Sequence, residues 1–104
     1  MVKVFITYKL RPGVSREEYA EWSRRVDQPM ASKQPGVLRY EIYQVVNGTD
    51  GEDWCDVMEV IEAASWHAWK RVNTYPEMLE AVEEWRQISI PGSVRVVYGT
   101  QVEA

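Results

Sequence analysis

Strand patterns and helix patterns follow one another along these 104 residues in the order strand, helix, strand, strand, helices, strand. Apolar residues recur at every second position in 2–9, 37–46, 54–62 and 94–102, which is typical of half-buried strands. The segments between them carry apolar residues at helical spacing, except for a polar loop at 47–53. Few folds accommodate this order in so short a chain.

A proline and a capping pair mark the predicted ends of the first helix. Ser15 and Glu18 form a capping box at its start. Tyr19 and Trp22 begin its apolar stripe. Pro29 is expected to end the helix near residues 27–28, because a proline disfavours helical geometry in the residue before it.

Two further helices are predicted after the third strand. The first of them covers 63–73, where tryptophans recur at helical spacing. Thr74 and Glu77 form a second capping box, with Pro76 in the first turn of the next helix. The pair Pro91–Gly92 stops that helix before the last strand.

This order predicts an α+β fold, the ferredoxin-like βαββαβ plait, as a single domain over 1–104. In this plait one antiparallel four-stranded sheet carries helices on one face. The strands, however, are apolar on both faces: in the first strand Val4 and Ile6 lie on one face and Phe5 on the other. A second copy of the chain is therefore expected to cover the remaining face, which makes the protein a homodimer.

Charge and composition exclude several classes of function. The net charge is −4, and the 12 basic residues are scattered among 16 acidic ones, so nucleic acid is not an expected partner. No apolar run approaches the ~18 residues of a membrane span, and no signal peptide is apparent, so we expect a cytoplasmic protein without a membrane partner. With His67 and Cys55 as the single histidine and cysteine, and no glycine-rich phosphate loop, neither metal nor organic cofactor is expected.

The element order and the Val26-Asp27-Gln28-Pro29 helix end resemble the dimeric α/β-barrel superfamily of small, mostly cofactor-free enzymes. Within it, the chain resembles the REDY-like family of natural-product biosynthesis proteins. The segments that carry this resemblance are 8–14, 26–29, 37–43, 57–60 and 76–78. The resemblance implies a homodimer with a pocket between sheet and helices in each subunit. It also implies ring-forming or condensation steps on aromatic, nitrogen-containing intermediates.

Asp27 is the first candidate catalytic residue. It follows the apolar stripe of the first helix by one residue, at the predicted carboxyl end, where a carboxylate is unfavourable for the helix dipole. A carboxylate against Trp22 and the sheet would also lose solvation, and a pKa raised in these two ways suits a general base. Many members of the superfamily carry a histidine at this position. The alternative is a solvated helix end or a salt bridge to Arg24 or Arg25.

Glu59 and His67 are further candidates for the site. Glu59 lies mid-strand with apolar neighbours on its own face, so it is either held protonated or paired. We expect a pairing with Lys3, Arg39 or Arg95 at the subunit interface. His67 is the usual residue type for acid–base work near neutral pH, but its helical position is well off the tryptophan stripe and predicts a surface location.

Tyrosines and tryptophans complete the candidate site. Tyrosine hydroxyls donate hydrogen bonds to a carbonyl or phenolate from within an apolar wall, and on this basis Tyr40 and Tyr75 are predicted to be catalytic. Ordinary core packing is the alternative for each aromatic residue. The residues predicted to hold a flat aromatic substrate are Tyr8, Trp22, Trp66, Trp69 and Trp85.

Two classes of function fit these residues. The first is a cofactor-free enzyme that cyclises or condenses an indole-, pyrrole- or polyketide-like intermediate by acid–base catalysis, with cofactor-independent oxygenation as the runner-up. The second is a non-catalytic dimeric module that binds a hydrophobic metabolite. A large apolar cavity onto which carboxylate and tyrosines converge favours the enzyme, whereas a cavity filled by tryptophan side chains favours the module.

Overall fold

The computed structural model describes residues 1–46, 48 and 54–104, so the polar loop predicted at 47–53 lies almost wholly outside the described residues. The elements are β1 (Val2–Tyr8), α1 (Arg16–Trp22), a π-helical segment (Ser23–Asp27), α2 (Gln28–Ser32), β2 (Val37–Gln44), β3 (Val57–Ala63), α3 (Trp66–Val72), α4 (Pro76–Ile88), a 3-10 turn (Pro91–Ser93) and β4 (Arg95–Gly99). The strands form one antiparallel sheet in the order β2-β3-β1-β4. The predicted α+β ferredoxin-like fold is thus confirmed. In the described part of the chain, no helix is long and apolar enough to cross a membrane.

The helices pack on the sheet face to which alternate residues of the central strands contribute mostly apolar side chains. Val4 of β1 lies opposite Ile61 of β3, and Tyr8 lies opposite Val57. All four side chains are completely buried. Burial of each aliphatic one contributes about 1.5–3 kcal/mol, so this double row of side chains forms the centre of the core beneath the helices.

The other side, here called the open sheet face, also carries apolar side chains. Val97, Phe5 and Val60 lie side by side across β4, β1 and β3. Phe5 is 37% and Val97 63% exposed, and Tyr43 of β2 is 51% exposed on the same face. The alternation of the strands therefore leaves an apolar strip in contact with solvent.

The first helical region does not end at Pro29, which corrects the sequence-based boundary. The helix continues to Ser32 because residues 23–27 adopt π-helical geometry, in which the backbone N–H of Gln28 donates to the carbonyl of Ser23. A proline inside a regular α-helix clashes with the carbonyl four residues earlier. The wider π turn relieves this clash and accommodates a residue that has no N–H to donate.

The boundaries predicted around α3 and α4 also need correction. Residues 63–65 are not helical, because Ala63 still pairs in the sheet and the side chain of Ser65 caps α3. Thr74 does not cap α4 either. Its hydroxyl donates to the carbonyl of Arg71 at 2.6 Å, and Tyr75 occupies the cap position without a side-chain hydrogen bond. Proline in the first turn is sufficient to set the start of α4.

Gly36 lets the start of β2 approach α3 closely. Its φ is +89°, and a Cβ added there would lie 3.0 Å from the Cβ of Ala68. Gly36→Ala is expected to lower the free energy of unfolding by about 2–5 kcal/mol, of which about 1–2 arises from the left-handed backbone and about 1–3 from overpacking. Urea denaturation measures this loss. Gly13→Ala is the control, because Gly13 has a φ of +93° but open space around it. Equal losses in the two variants would contradict the role of the contact with Ala68.

Candidate active site

A cavity of about 460 Å³ lies between the sheet and the helices. Its size is within the range of small-molecule sites, about 300–1,000 Å³. Ile6, Tyr40, Glu59, Val94 and Val96 line it from the sheet side. From the helices, the lining residues are Asp27, Ala31, Trp66, Trp69, Lys70, Asn73, Met78, Ala81, Val82 and Trp85. Most of the wall is apolar, so its few polar groups decide what chemistry is available.

Asp27, Tyr40 and Glu59 meet at one point of the cavity wall. The hydroxyl oxygen of Tyr40 lies 3.2 and 3.1 Å from Oδ1 and Oδ2 of Asp27 and 3.2 Å from Oε1 of Glu59. A phenol has one proton to donate. Tyr40 can therefore donate to one carboxylate at a time, and the other contact is a hydrogen bond when that carboxyl carries a proton of its own. Both carboxyl groups are therefore hydrogen-bonded to Tyr40 when the two acids hold one proton between them.

Burial raises the pKa of both acids. The pKa of Asp27 is raised to about 6 by loss of solvation, which the hydrogen bond from Tyr40 partly offsets. The pKa of Glu59 is raised to about 8 by burial and then by the nearby charge of Asp27. Between these values the pair of acids holds one proton. One acceptor and one donor of protons therefore face the same cavity near neutral pH.

Two tyrosines behind Glu59 complete the network. The hydroxyl of Tyr8 donates to Oε2 of Glu59 at 3.1 Å and is hydrogen-bonded to the hydroxyl of Tyr19. Burial raises the pKa of both tyrosines, so they remain neutral. Neither lines the cavity. Tyr8 was predicted to bind substrate but instead orients Glu59. Tyr19 was missed, because a tyrosine in an apolar stripe was interpreted as a packing residue.

Three of the four predicted tryptophans form the helix side of the cavity: Trp66, Trp69 and Trp85. The ring of Trp69 is tilted against Tyr40 with centroids 6.4 Å apart. Trp66 is stacked on Tyr98 of β4, with centroids 4.2 Å and planes 7° apart. Trp22 is buried against Tyr19 and does not line the cavity, so its place is in the core.

Asp27 reaches the cavity because of the π-helical segment. In a regular α-helix, residues five apart differ by about 140° around the axis, which would place Trp22 and Asp27 on different sides. In the π turn both are buried, with exposures of 6% and 7%. Asp27 is thus not at a helix carboxyl end, and burial rather than the helix dipole raises its pKa. Of the two causes expected from the sequence, loss of solvation applies and the helix dipole does not.

Among the described residues, no basic side chain lies within 4.0 Å of the Glu59 carboxylate, contrary to the pairing favoured from the sequence. It projects from β3 toward the helices, on the same face as Val57 and Ile61. Lys3 and Arg39 lie opposite Glu62 in the sheet, on the open face. The alternation of the strand therefore separates Glu59 from these cations and leaves tyrosine hydroxyls as its partners.

The remaining candidates lie elsewhere. Tyr75 packs against the core without lining the cavity, and His67 is exposed, as its helical position predicted. Lys70 and Asn73 also line the cavity. Helical spacing places Asn73 on the same stripe as Trp66 and Trp69, whereas Lys70, four residues after Trp66, was missed. Among the described residues, no group of three or more histidine, cysteine, aspartate or glutamate side chains could hold a metal ion.

Solved structures with the same fold align over almost the entire chain. HapK from Hahella chejuensis has 15% identity and a TM-score of 0.81, with 100% of this chain and 95% of that chain covered. SnoaB from Streptomyces nogalater, a cofactor-independent oxygenase, has 14% identity and a TM-score of 0.74, with 99% and 94% covered. A dimeric protein of unknown function with a ferredoxin-like fold from Bacteroides fragilis has 18% identity and a TM-score of 0.70, with 96% and 95% covered.

Comparison with protein families gives a more specific result than these structural likenesses. Among curated protein sequences, none matches this chain. The family model described as REDY-like protein HapK, in contrast, matches residues 2–102. That match includes every strand, every helix and both acids of the cavity, and the chain therefore belongs to the REDY-like family.

Proposed function

We propose that the protein is a cofactor-free acid–base enzyme of secondary metabolism that cyclises or condenses an aromatic intermediate in the cavity. One observation carries the proposal: the hydroxyl of Tyr40 lies within hydrogen-bond distance of both Asp27 and Glu59, in a wall that is otherwise mostly apolar. Pairs of acids whose surroundings separate their pKa values are the usual means of having both a base and an acid at one pH.

The geometry allows a closed proton cycle. Ionised Asp27 removes a proton from the carbon or nitrogen nucleophile, while protonated Glu59 gives its proton to the carbonyl oxygen under attack. Tyr40 then restores the starting state, since it receives the proton from Asp27 and passes its own to Glu59. No proton is gained or lost over the cycle.

The open volume supports an enzyme more than a passive binding module. The tryptophans stand along the wall and leave about 460 Å³ free. A module that binds a neutral hydrophobic metabolite would gain nothing from two buried acids, because buried carboxyls without cationic partners lower stability. We take this cost as support for a chemical role.

Cofactor-independent oxygenation is the second candidate, and the shared fold of SnoaB, a cofactor-independent oxygenase, is what favours it. A substrate phenol that loses its proton to Asp27 becomes electron-rich enough to reduce oxygen by itself. Oxygen consumption that depends on Asp27 would distinguish this reaction from cyclisation, which consumes none.

We also propose that two copies pair through the open sheet face. Phe5, Val60 and Val97 form an apolar row there, and Val97 is 63% exposed in the single chain. Exposed apolar strips of this kind usually mark an interface. The Bacteroides fragilis protein of the same fold is described as dimeric, which supports the same arrangement here.

Asp27→Asn should lower the rate of proton abstraction at least tenfold, because it preserves the shape of the side chain and removes the base. The Kemp elimination of 5-nitrobenzisoxazole measures this directly, since an aromatic C–H is deprotonated and a coloured phenolate is released. A tenfold loss corresponds to about 1.4 kcal/mol of transition-state stabilisation. His67→Ala is the control, because His67 is exposed and outside the cavity.

The rates should be compared with that of acetate at the same concentration of carboxylate. If folded Asp27→Asn retains more than about a tenth of the wild-type rate, Asp27 is a structural residue and the proposed function is wrong. If His67→Ala abolishes turnover instead, the acid–base assignment moves to α3.

A further inference from the structure

We propose that the natural ligand of the cavity is an aromatic molecule with a positively charged nitrogen, such as an iminium or a protonated heterocycle, for which Asp27 and Glu59 supply the counter-charge. This inference names the substrate class of the site described above and rests on the proposed function for its location. It concerns the charge of the ligand rather than the reaction that the ligand undergoes.

In the part of the chain that the structure describes, no basic side chain forms a salt bridge with either buried acid. Asp27 and Glu59 are 7% and 6% exposed. The salt bridges among the described residues are Arg39–Glu41 and Glu83–Arg86, and no lysine, arginine or histidine nitrogen described lies within 4.0 Å of either buried acid. A buried negative charge without a partner is costly, and burial of a charge is normally accompanied by a counter-ion. A cationic ligand would provide it.

The tryptophan rings in the cavity wall also favour a cationic ligand. Trp66, Trp69 and Trp85 line the cavity from the helices, and tryptophan is the aromatic side chain that attracts cations most strongly when the charge lies within about 6 Å of the ring centre. The ring of Trp69 is 6.4 Å from that of Tyr40, which holds the two acids. A ligand nitrogen beside the acids would thus also lie against an indole.

Lys70 does not remove this preference. It lines the cavity but is exposed, so its ammonium group is solvated and its field inside the cavity is weakened by water and salt. The buried acids act at short range in apolar surroundings, where a charge has a much greater effect. The expected order of affinity is therefore cation, then neutral ligand, then anion.

A cationic nitrogen would also make the proposed base effective. An iminium group acidifies the C–H on the carbon next to the iminium carbon. When that proton is transferred to Asp27, the C–H electron pair becomes a carbon–carbon double bond, and the π pair of the C=N bond moves onto the nitrogen, which becomes neutral. The carboxyl pair becomes neutral in the same step. The electrostatic attraction between the ligand and the site is therefore lost in this step, which favours release of the product.

A matched pair of ligands tests the charge preference. N-methylquinolinium carries a permanent positive charge, and quinoline has nearly the same shape but is uncharged at pH 7.5. Isothermal titration calorimetry should give at least tenfold tighter binding of N-methylquinolinium, equivalent to about 1.4 kcal/mol. In the double variant Asp27→Asn/Glu59→Gln, the two ligands should bind equally. Glu62→Gln is the matched control and should keep the preference, because Glu62 lies on the same strand but on the open face.

The inference is overturned if quinoline binds as tightly as the cation, if neither binds, or if the preference survives in the double variant. Circular dichroism establishes that each variant is folded. Such a failure is distinguishable from failure of the proposed function, because the Kemp elimination uses a neutral substrate and tests the base without a ligand charge.

Discussion

The free energy of unfolding should fall as the pH rises from about 4.5 to about 8, the ordinary and the folded-state pKa of Glu59. Because the folded protein binds this proton more tightly than the unfolded chain, the stabilising contribution is fully present below the lower value and is lost as the pH rises through the higher one. The slope for one such group reaches about 1.4 kcal/mol per pH unit. Asp27 adds to the fall between 3.8 and about 6.

Glu59→Gln should remove most of the fall above pH 6 and make the protein more stable than the wild type at pH 8. Urea denaturation at pH 5, 6.5 and 8, at one protein concentration, measures both effects. Glu62→Gln on the open face serves as the comparison and should leave the slope unchanged. A wild-type slope equal to that of Glu59→Gln would mean that Glu59 is not held protonated in the folded protein.

Phe5→Glu should weaken self-association at least 100-fold, which corresponds to about 2.7 kcal/mol. Phe5 is at the middle of the apolar row on the open sheet face, between Val60 and Val97. In a two-fold interface the substitution buries two unpaired carboxylates at once, one from each copy. Analytical ultracentrifugation over a range of concentrations measures the dissociation constant.

Leu79→Glu is the matched control for the dimer, because Leu79 is 55% exposed on α4, away from the open sheet face. Val97→Glu provides a second test at a more exposed position, where effects on folding are smaller. A wild-type protein that sediments as a monomer at micromolar concentration, or a Phe5→Glu variant that associates as before, would contradict pairing through this face.

The fold could be predicted from the sequence because many positions carry the same information. Each strand offers several alternating positions, so an error at one position does not change the result. The same alternation places Tyr8, Tyr40 and Glu59 beneath the helices. Their convergence could not be derived, because it depends on the register between strands and on a helix of unknown rotation. Basic residues were predicted as the partners of Glu59 because of their opposite charge, although tyrosine hydroxyls on the same face could also serve as partners.

The geometry that places Asp27 in the cavity could not be predicted from the sequence, for a different reason. Nothing in Ser23–Asp27 indicates a π turn, since its side chains are compatible with an ordinary α-helix. Family resemblance and the neighbouring apolar stripe predict that Asp27 faces the interior. The helix end predicted at Pro29, on which the same argument drew, is incorrect. The helical rotation of α3 was predicted correctly, which is why Trp66 and Trp69 were placed on the cavity side.

The π-helical segment has a consequence for how such a cavity can change during evolution. A π turn amounts to one extra residue within an α-helix, so deletion of a single residue between Ser23 and Asp27 restores regular winding while the strands keep their pairing. With one residue fewer, Trp22 and Asp27 are four positions apart, about 40° around the axis, so both face the interior in a regular α-helix. A relative that is one residue shorter here can therefore keep an acid in the cavity without a π turn. An alignment with such a relative must place its gap within Ser23–Asp27, because a gap elsewhere in this helix would assign the acid to the wrong residue.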